Sequence, residues 1–252
     1  MFFRRRPPGP DTLPQPILDE RLYVVGDVHG CDQLLEQLLG VIDKDFYAEP
    51  TERAVRLVFV GDYVDRGERS RQVLDRLIEL CRDPKLQVSC LKGNHEELLL
   101  GFLFDPVKHA GWLDHGGLET LASYGVPAPL RRRRERDFSG LAEDLGQRLG
   151  AHKAFLESLS LCFSLGNVFV SHAGVSPDRP LSGQQPDALL WGDDRFLKLG
   201  GPPEHVVVHG HWAGDSVDWG VNRVCIDTGA YLSRQLTALR IDAETGYRVL
   251  CT

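Results

Sequence analysis

The chain has 252 residues, of which 42% are hydrophobic and 26% are charged, as in an ordinary globular protein. Its formal net charge of -7 argues against broad electrostatic binding to nucleic acid or to an anionic membrane, and an anionic substrate would need a local positive centre. No apolar run approaches the ~20 residues of a membrane span, and six scattered cysteines without a CxxC pair favour reduced thiols in a cytoplasmic protein over a disulfide framework.

Residues 1–16 are rich in arginine and proline and lack the long apolar segment of a signal peptide. We predict a flexible or loosely docked arm there. Residues 17–252 are predicted to form a single domain with one large core.

Three strand–junction–helix units follow the arm. The predicted strands cover residues 21–26, 57–60 and 86–91, and the helical spacing of apolar residues predicts helices over 32–42, 70–80 and 97–104. Such a succession predicts a parallel or mixed sheet covered by helices.

Residues 105–159 do not continue the strand–junction–helix pattern, and they contain a glycine pair, prolines and an arginine run at 131–136. We predict a mostly helical insertion that packs over one edge of the site. The arginine run is interpreted as a solvated surface loop rather than an anion-binding patch.

Strands are predicted again in the last third of the chain, at 161–165, 168–171, 206–208, 224–226, 236–241 and 247–250. The last two are expected to form a hairpin. Residues 177–203 are predicted to be a loop anchored by Trp191 and Phe196.

Five predicted strands end in a short junction, usually with glycine, that carries Asp, Asn or His, namely Asp27, His29, Asp62, Asn94, His95, His172, His209 and His211. Each could alone be a turn or helix-cap residue. Five such junctions together indicate that these side chains converge on one rim of the sheet. Carboxylate, imidazole and amide ligands without thiolate suit Mn²⁺, Fe or Zn²⁺, and their number suffices for two ions that share a bridging carboxylate.

The motifs GDVHG, GDYVDRG, GNHE, HAG and HGH, in that order, resemble the metal-binding signature of the calcineurin-like metallophosphoesterases. GDxVDRG with GNHE resembles the phosphoprotein-phosphatase branch, particularly the small bacterial and phage serine/threonine phosphatases. The resemblance implies an α/β fold, a mixed β-sheet sandwich flanked by helices with a helical insertion. It also implies two divalent metal ions, with manganese favoured and iron or zinc as alternatives.

The metal ligands that the resemblance implies are Asp27, His29, Asp62, Asn94, His172 and His211. Asp62 would bridge the two ions, with Asp27 and His29 on the first and the other three on the second. Asp65 would orient His95, which assists departure of the alcohol leaving group. Arg66 would hold phosphate oxygens through its bidentate guanidinium.

Two segments depart from the phosphatase pattern. The loop after HAG usually carries a Trp-x-Arg element whose arginine is a second phosphate clamp. Here Asp193 stands at that position, and Arg195 is the nearest candidate for substrate binding. The run Gly210-His211-Trp212-Ala213 is closer to the bacterial diadenosine-tetraphosphate hydrolases, and His209 is expected to be structural.

The leading hypothesis is a dinuclear metal-dependent phosphomonoesterase that hydrolyses phosphoserine or phosphothreonine in proteins by direct attack of a metal-bridging hydroxide. The aspartate at position 65 favours it, since the dinucleotide hydrolases usually carry another residue there. The alternative is a symmetrical diadenosine-tetraphosphate hydrolase, with Trp212 or Trp191 as a base-stacking surface. A non-catalytic binding domain is the minor alternative. The expected partner is a phosphoprotein or a phosphorylated small molecule, without nucleic acid or membrane.

Overall fold

The computed structural model describes residues 9–127 and 135–252, and within them the strands form two five-stranded mixed sheets. The strands are β1 (Glu20–Val25), β2 (Ala54–Phe59), β3 (Gln87–Cys90), β4 (Cys162–Leu165), β5 (Val168–Ser171), β6 (Val206–His209), β7 (Asp218–Gly220), β8 (Arg223–Cys225), β9 (Thr237–Asp242) and β10 (Gly246–Cys251). The helices are α1 (Asp32–Ala48), α2 (Ser70–Arg82), α3 (Asn94–Phe104), α4 (Gly117–Ser123), α5 (Glu135–Leu149), α6 (Ala151–Ser158), α7 (Pro186–Trp191), α8 (Asp194–Leu199) and α9 (Ala230–Ser233). None of these helices is long and apolar enough to cross a membrane.

The first sheet has the order β10-β9-β1-β2-β3, in which β1, β2 and β3 are parallel and β9 is antiparallel to β1. The second has the order β4-β5-β6-β8-β7, in which β5, β6 and β8 are parallel. The mixed sandwich flanked by helices is therefore confirmed. The junction-bearing strands divide between the sheets, so both sheets contribute to the rim on which the site lies.

The side chains of each central strand point alternately to the two faces of its sheet. They form one apolar layer between the sheets and another beneath the helices. Leu22 and Val24 of β1 belong to a buried cluster with Val208 of β6, whereas Tyr23 and Val25 belong to the cluster that includes the helices. Because successive side chains of a strand point to opposite faces, the near-continuous apolar runs of the sequence are those of strands buried on both faces.

Helix α1 continues beyond the predicted end at residue 42, as far as Ala48. Leu35, Leu38 and Ile42 form its buried stripe, and Asp45 is buried on the extension. The helix stops two residues before Pro50, consistent with the steric restriction on the residue that precedes a proline.

The described part of the predicted arm, residues 9–16, packs against the rest of the chain rather than extending freely. Leu13 is buried, and Tyr247 donates its hydroxyl hydrogen bond to the Pro14 carbonyl at 2.7 Å. Residues 1–8 and 128–134 lie outside the described residues, and with them the first four residues of the predicted arginine loop at 131–136, whose last two belong to α5. The predicted insertion contains α4, α5 and α6 and a 3-10 helix, Ala110–His115.

The prediction of a loop over residues 177–203 was incomplete, because α7 and α8 lie within it. The prediction that Trp191 anchors this segment was wrong, since 42% of the surface of Trp191 is exposed. Phe196 is fully buried, as predicted, and Leu189 and Leu190 take the place of the tryptophan in the core. The prolines and glycines around Pro186 are typical of a loop, and for that reason the start of α7 was not predicted from the sequence.

Replacement of Asp45 by asparagine is expected to lower the free energy of unfolding by about 3 kcal/mol at pH 7. Its buried carboxylate accepts hydrogen bonds from the Tyr23 hydroxyl at 2.8 Å and from Arg240 and Arg248, each at 3.0 Å. Burial opposes ionisation, but these donors outweigh it and lower the pKa of Asp45. The carboxylate therefore stabilises the fold above pH ~4, and this contribution is lost as the pH falls through the folded-state pKa. Urea titrations should show the wild-type advantage at pH 7 and its decrease at pH 3. An undiminished difference at pH 3 would contradict the charge argument.

Candidate active site

Five of the predicted site residues have a left-handed backbone conformation, with φ of 43° at His29, 52° at Asp62, 72° at Asp65, 67° at Arg66 and 68° at His211. This region costs a non-glycine residue roughly 1–3 kcal/mol, because the Cβ atom crowds the neighbouring carbonyl. Hydrogen bonds between junctions oppose the strain; for example, the His29 amide donates to the Asp62 carbonyl at 2.8 Å. Such strain concentrates at functional sites.

Two junction glycines let the carboxylates approach the backbone. A Cβ atom on Gly210 would lie 1.8 Å from Asp27 Oδ1, and one on Gly93 would lie 2.1 Å from Asp62 Oδ1. Any side chain at either position would displace a carboxylate. These glycines are therefore required by the site, which explains why glycine recurs in the junctions.

The Asp62 carboxylate lies between two groups of donor atoms. Its Oδ2 is 3.4 Å from His29 Nε2, and its Oδ1 is 3.5 Å from His172 Nε2. The ligand atoms of His29, Asp62 and His95 lie within 4.8 Å of one another, and so do those of Asp62, His172 and His211. One oxygen therefore faces each group, which is the arrangement of a bridging carboxylate.

The predicted second metal position is surrounded by neutral donors. Asn94 Oδ1 is 2.8 Å from His172 Nε2 and 3.0 Å from His211 Nδ1, and the two imidazole nitrogens are 3.2 Å apart. Burial lowers the pKa of His172 to about 4 and also lowers the pKa of His211. The two imidazole nitrogens and the amide oxygen thus converge on one point, where a cation would accept a lone pair from each of them.

The predicted first metal position has a carboxylate oxygen without a hydrogen-bond partner. Asp27 Oδ1 is buried and has no hydrogen-bond partner among the described residues. Burial, with repulsion from Asp227 and Asp62, raises the pKa of Asp27 well above its ordinary value. His29 Nδ1 donates to the Val64 carbonyl at 2.9 Å, which leaves Nε2 free to ligate. Oδ2 accepts from the His211 amide at 3.0 Å, but a buried carboxylate oxygen without a partner is costly without a cation, so these residues fit a divalent metal.

Asp65 holds His95 in a buried hydrogen-bond network. Its Oδ2 accepts from His95 Nδ1 at 2.7 Å and from Trp112 Nε1 at 2.8 Å, and its Oδ1 accepts from the Thr120 hydroxyl at 2.7 Å. Burial opposes the imidazolium, but Asp62 and Asp65 outweigh it and raise the pKa of His95. Trp112 and Thr120 come from the first half of the helical insertion, so this segment positions site residues as well as covering them.

Glu96 is a site residue to which the sequence analysis assigned no role. Its buried carboxylate accepts backbone N–H bonds from Asp62 at 2.8 Å, Tyr63 at 2.7 Å and Gly93 at 2.8 Å. It therefore ties the GDYVDRG and GNHE junctions together. The sequence contains a signal for this role, namely an acidic residue at the third position of a helix that follows glycine. A residue in that position often accepts backbone hydrogen bonds.

Asp227 was also missed. It is buried beyond the end of β8, and it accepts a hydrogen bond from the Gly229 amide at 2.9 Å. Burial, together with repulsion from Asp62, raises its pKa to about 6. The run Ile226-Asp227-Thr228-Gly229 is a sixth strand-to-glycine junction, and the same rule would have found it.

Arg66 lies against Tyr231 at the edge of a cavity of about 340 Å³. Its Nη1 donates to the Tyr231 hydroxyl at 3.0 Å, its Cζ lies 4.8 Å from the centre of that ring, and its Nη2 is 3.2 Å from His95 Nε2. Tyr231 also packs edge-on against His29 at 5.3 Å between ring centroids. The guanidinium is therefore fixed beside the donor groups, as a phosphate ligand would need.

Arg195 is placed differently from the other predicted residues. Its guanidinium pairs with Asp193 and Asp178, each at 2.7 Å, and Asp193 caps α8. None of these partners is a predicted site residue, so phosphate binding by Arg195 stays a prediction. Trp212 packs edge-on against His211 with ring centroids 5.1 Å apart. His209 is fully buried, and its ring hydrogen-bonds the Gly210 carbonyl at 3.0 Å.

A family model described as calcineurin-like phosphoesterase matches residues 20–243. The chain belongs to the calcineurin-like phosphoesterase family. The resemblance stated from the motifs is thus confirmed, and so is the prediction of a metal-dependent phosphoric ester hydrolase.

Two relatives of this calcineurin-like phosphoesterase carry different named activities, and one solved structure shares its fold. It is 30% identical over 237 residues to an asymmetrical bis(5'-nucleosyl)-tetraphosphatase PrpE of Anoxybacillus flavithermus, with 86% of this chain and 89% of the relative covered. It is 27% identical over 232 residues to serine/threonine-protein phosphatase 2 of Salmonella typhimurium, with 89% and 94% covered. A crystal structure of a putative diadenosine tetraphosphatase superposes with a TM-score of 0.59 at 21% identity, with 95% and 96% covered, which shows a shared fold.

Proposed function

We propose that this phosphoesterase hydrolyses dinucleoside polyphosphates such as diadenosine tetraphosphate. The activity named for its 30% identical relative supports the proposal. The observation that carries it is the cavity beside Arg66, whose lining holds three arginines against two carboxylic acids, Asp32 and Glu68, and which offers anion contacts beyond the scissile phosphate. The serine/threonine protein phosphatase hypothesis thereby becomes the second candidate.

The proposed centre holds two divalent cations, with manganese the favoured metal. Asp27, His29 and Asp62 would hold the first, and Asp62 would share the second with the cluster of Asn94, His172 and His211. When bound, such cations supply Lewis acidity and a water molecule whose pKa is lowered towards neutrality. Since burial keeps the ligating imidazoles neutral, their lone pairs are available to metal at neutral pH.

The chain's own residues bind the substrate and transfer protons. Arg66 donates to the oxygens of the scissile phosphate through its planar guanidinium. His95 donates a proton to the leaving oxygen, and Asp65 holds the ring in the orientation that this needs. The lining of the centre excludes water from Asp65, which is fully buried.

The cavity extends from Arg66 past Arg69 to Arg234 and is about 340 Å³ in volume. Among the described residues, neither Arg66 nor Arg234 has a carboxylate within the 4.0 Å of an ion pair, whereas Asp32 in the same cavity already pairs with Arg76 at 2.9 Å. Since Arg66 is assigned to the scissile phosphate, Arg234 is the uncompensated arginine that suits a further phosphate of a polyphosphate chain. A phosphoserine peptide has a single phosphate, which Arg66 would hold, and would leave Arg234 without a phosphate.

The first test is a comparison of kcat/KM for diadenosine tetraphosphate and a phosphoserine peptide with the manganese-loaded protein. We expect at least a tenfold preference for the dinucleotide. Product analysis would show whether two molecules of ADP or a pair of ATP and AMP are formed. A preference for the phosphopeptide would overturn the proposal in favour of the protein phosphatase.

Replacement of Arg234 by alanine is expected to raise KM for diadenosine tetraphosphate about tenfold, the effect of one lost charged contact. Hydrolysis of p-nitrophenyl phosphate should not change, because that substrate has no second phosphate. Arg82→Ala, on the exposed end of α2, is the matched control. Equal losses on both substrates would show that Arg234 supports the centre rather than the polyphosphate chain.

The Asp65–His95 pair is the observation that favours the second candidate, a serine/threonine phosphatase. A serine alkoxide is a strong base and leaves only when protonated, whereas a phosphate leaving group needs less assistance. A preorganised proton donor therefore suits a phosphoserine substrate well. Under both candidate functions we propose a cytoplasmic location, which the six free cysteine thiols support.

A further inference from the structure

Two cysteines face each other outside the metal centre. Cys81 lies in the last turn of α2, Cys90 is the last residue of β3, and their sulfur atoms are 3.7 Å apart. Both line a cavity of about 340 Å³ together with Cys162. A disulfide has sulfur atoms ~2.05 Å apart, so a shift of under ~2 Å would suffice.

The two thiols differ in their surroundings. Cys81 is exposed to solvent, whereas Cys90 is partly buried and packs against the hydrophobic core beneath the helices. The hydrogen bond between the two sulfur atoms lowers the pKa of Cys81 to about 7, and the same contact, with burial, raises the pKa of Cys90 well above its ordinary value. Cys81 is therefore the nucleophilic thiolate near neutral pH, and Cys90 is the protonated partner.

We propose that Cys81 and Cys90 are a redox-active dithiol that hydrogen peroxide converts to an intramolecular disulfide. The Cys81 thiolate attacks one peroxide oxygen; the O–O bond breaks, hydroxide leaves and is protonated to water, and Cys81 becomes a sulfenic acid. Cys90 then loses its proton and attacks the Cys81 sulfur; the S–O bond breaks and a second water leaves. Two thiols are oxidised, and one peroxide is reduced to two waters.

The position of the pair gives this modification a direct link to the strand that leads into the centre. Leu91 follows Cys90, and its carbonyl accepts the Tyr63 hydroxyl hydrogen bond at 2.6 Å. Asn94 and His95 begin α3 three residues later. The disulfide would close a loop of about ten residues between α2 and β3.

The test treats reduced, manganese-loaded, full-length protein with hydrogen peroxide and measures intact mass and disulfide-linked peptides. We expect a loss of two hydrogens, a peptide that joins residues 81 and 90, and full reversal by dithiothreitol. Cys90→Ser and Cys90→Ala should stop at a Cys81 sulfenic acid that a dimedone probe captures. The matched control, Cys162→Ser, should form the disulfide at the wild-type rate.

Three results would overturn the proposal. One is a linkage through Cys162 instead of the 81–90 pair. Another is Cys81 oxidised to sulfinic acid in the wild type without any cross-link. The third is a disulfide that joins two chains in place of the intramolecular one. Thermal denaturation of each variant before treatment shows that it is folded, so that an absent cross-link is informative.

Discussion

Replacement of Asp62 by asparagine is expected to reduce hydrolysis by about 10³-fold or more and to remove at least one of the two proposed metal ions. One Asp62 oxygen faces His29 and the other faces His172, at 3.4 and 3.5 Å. An amide offers one oxygen and a nitrogen that cannot ligate, so it cannot serve both groups. Metal content is measured on the purified protein by elemental analysis, beside kcat on p-nitrophenyl phosphate.

Asp45→Asn is the matched control for this experiment. It also removes a buried carboxylate, but its partners are Arg240, Arg248 and Tyr23, none of which is a predicted metal ligand. We expect the control to lose stability while it keeps its metal content and kcat at low temperature. Full turnover with both metals retained in Asp62→Asn would exclude a bridging role.

Replacement of Asp65 by asparagine is expected to lower kcat on a phosphoserine peptide by about 10²–10³-fold, with the metal content unchanged. The carboxylate accepts from His95 Nδ1 at 2.7 Å and raises the pKa of the imidazole. Without the carboxylate, the imidazole ring of His95 loses its orientation and the pKa of the ring is lower. On diadenosine tetraphosphate the loss should be below tenfold, because a phosphate leaving group depends less on a proton donor.

The pH profile gives a second readout of the same variant. A proton donor is active only when protonated, so activity falls as the pH rises through the pKa of His95. Because Asp65 raises that pKa, its removal should move the alkaline limb of the profile to lower pH. His95→Asn, which lacks the titrating group, should lose this limb. An unmoved limb in both variants would assign the limb to another group.

Together these two substitutions separate the candidate functions. As a proposed bridging ligand, Asp62 would act in the same way whichever ester is cleaved, whereas the size of the Asp65 effect would depend on the leaving group. Equal losses on both substrates would mean that Asp65 supports the fold of the site through Trp112 and Thr120, with which it also shares hydrogen bonds.

The sequence by itself identified the candidate metal ligands together with Asp65, Arg66 and His95, although it missed Glu96 and Asp227. Apolar strands that end in Gly, Asp, Asn and His can be read without coordinates, because strand burial and junction composition are local properties. The order of GDVHG, GDYVDRG, GNHE, HAG and HGH was enough for the family and for the mixed sandwich, both confirmed. Helix α1 and the hairpin of β9 and β10 were predicted on the same local grounds.

Only the tertiary structure decided how these residues face one another. Three features depend on segments that are far apart in the chain. They are the division of the junctions between two sheets, the left-handed backbone at Asp62 and the hydrogen bond from Trp112 to Asp65. The ion pairs of Arg195 and the Cys81–Cys90 contact are likewise properties of packing. A motif specifies residue types along the chain, whereas bridging, proton transfer and substrate choice depend on distances that long-range packing sets.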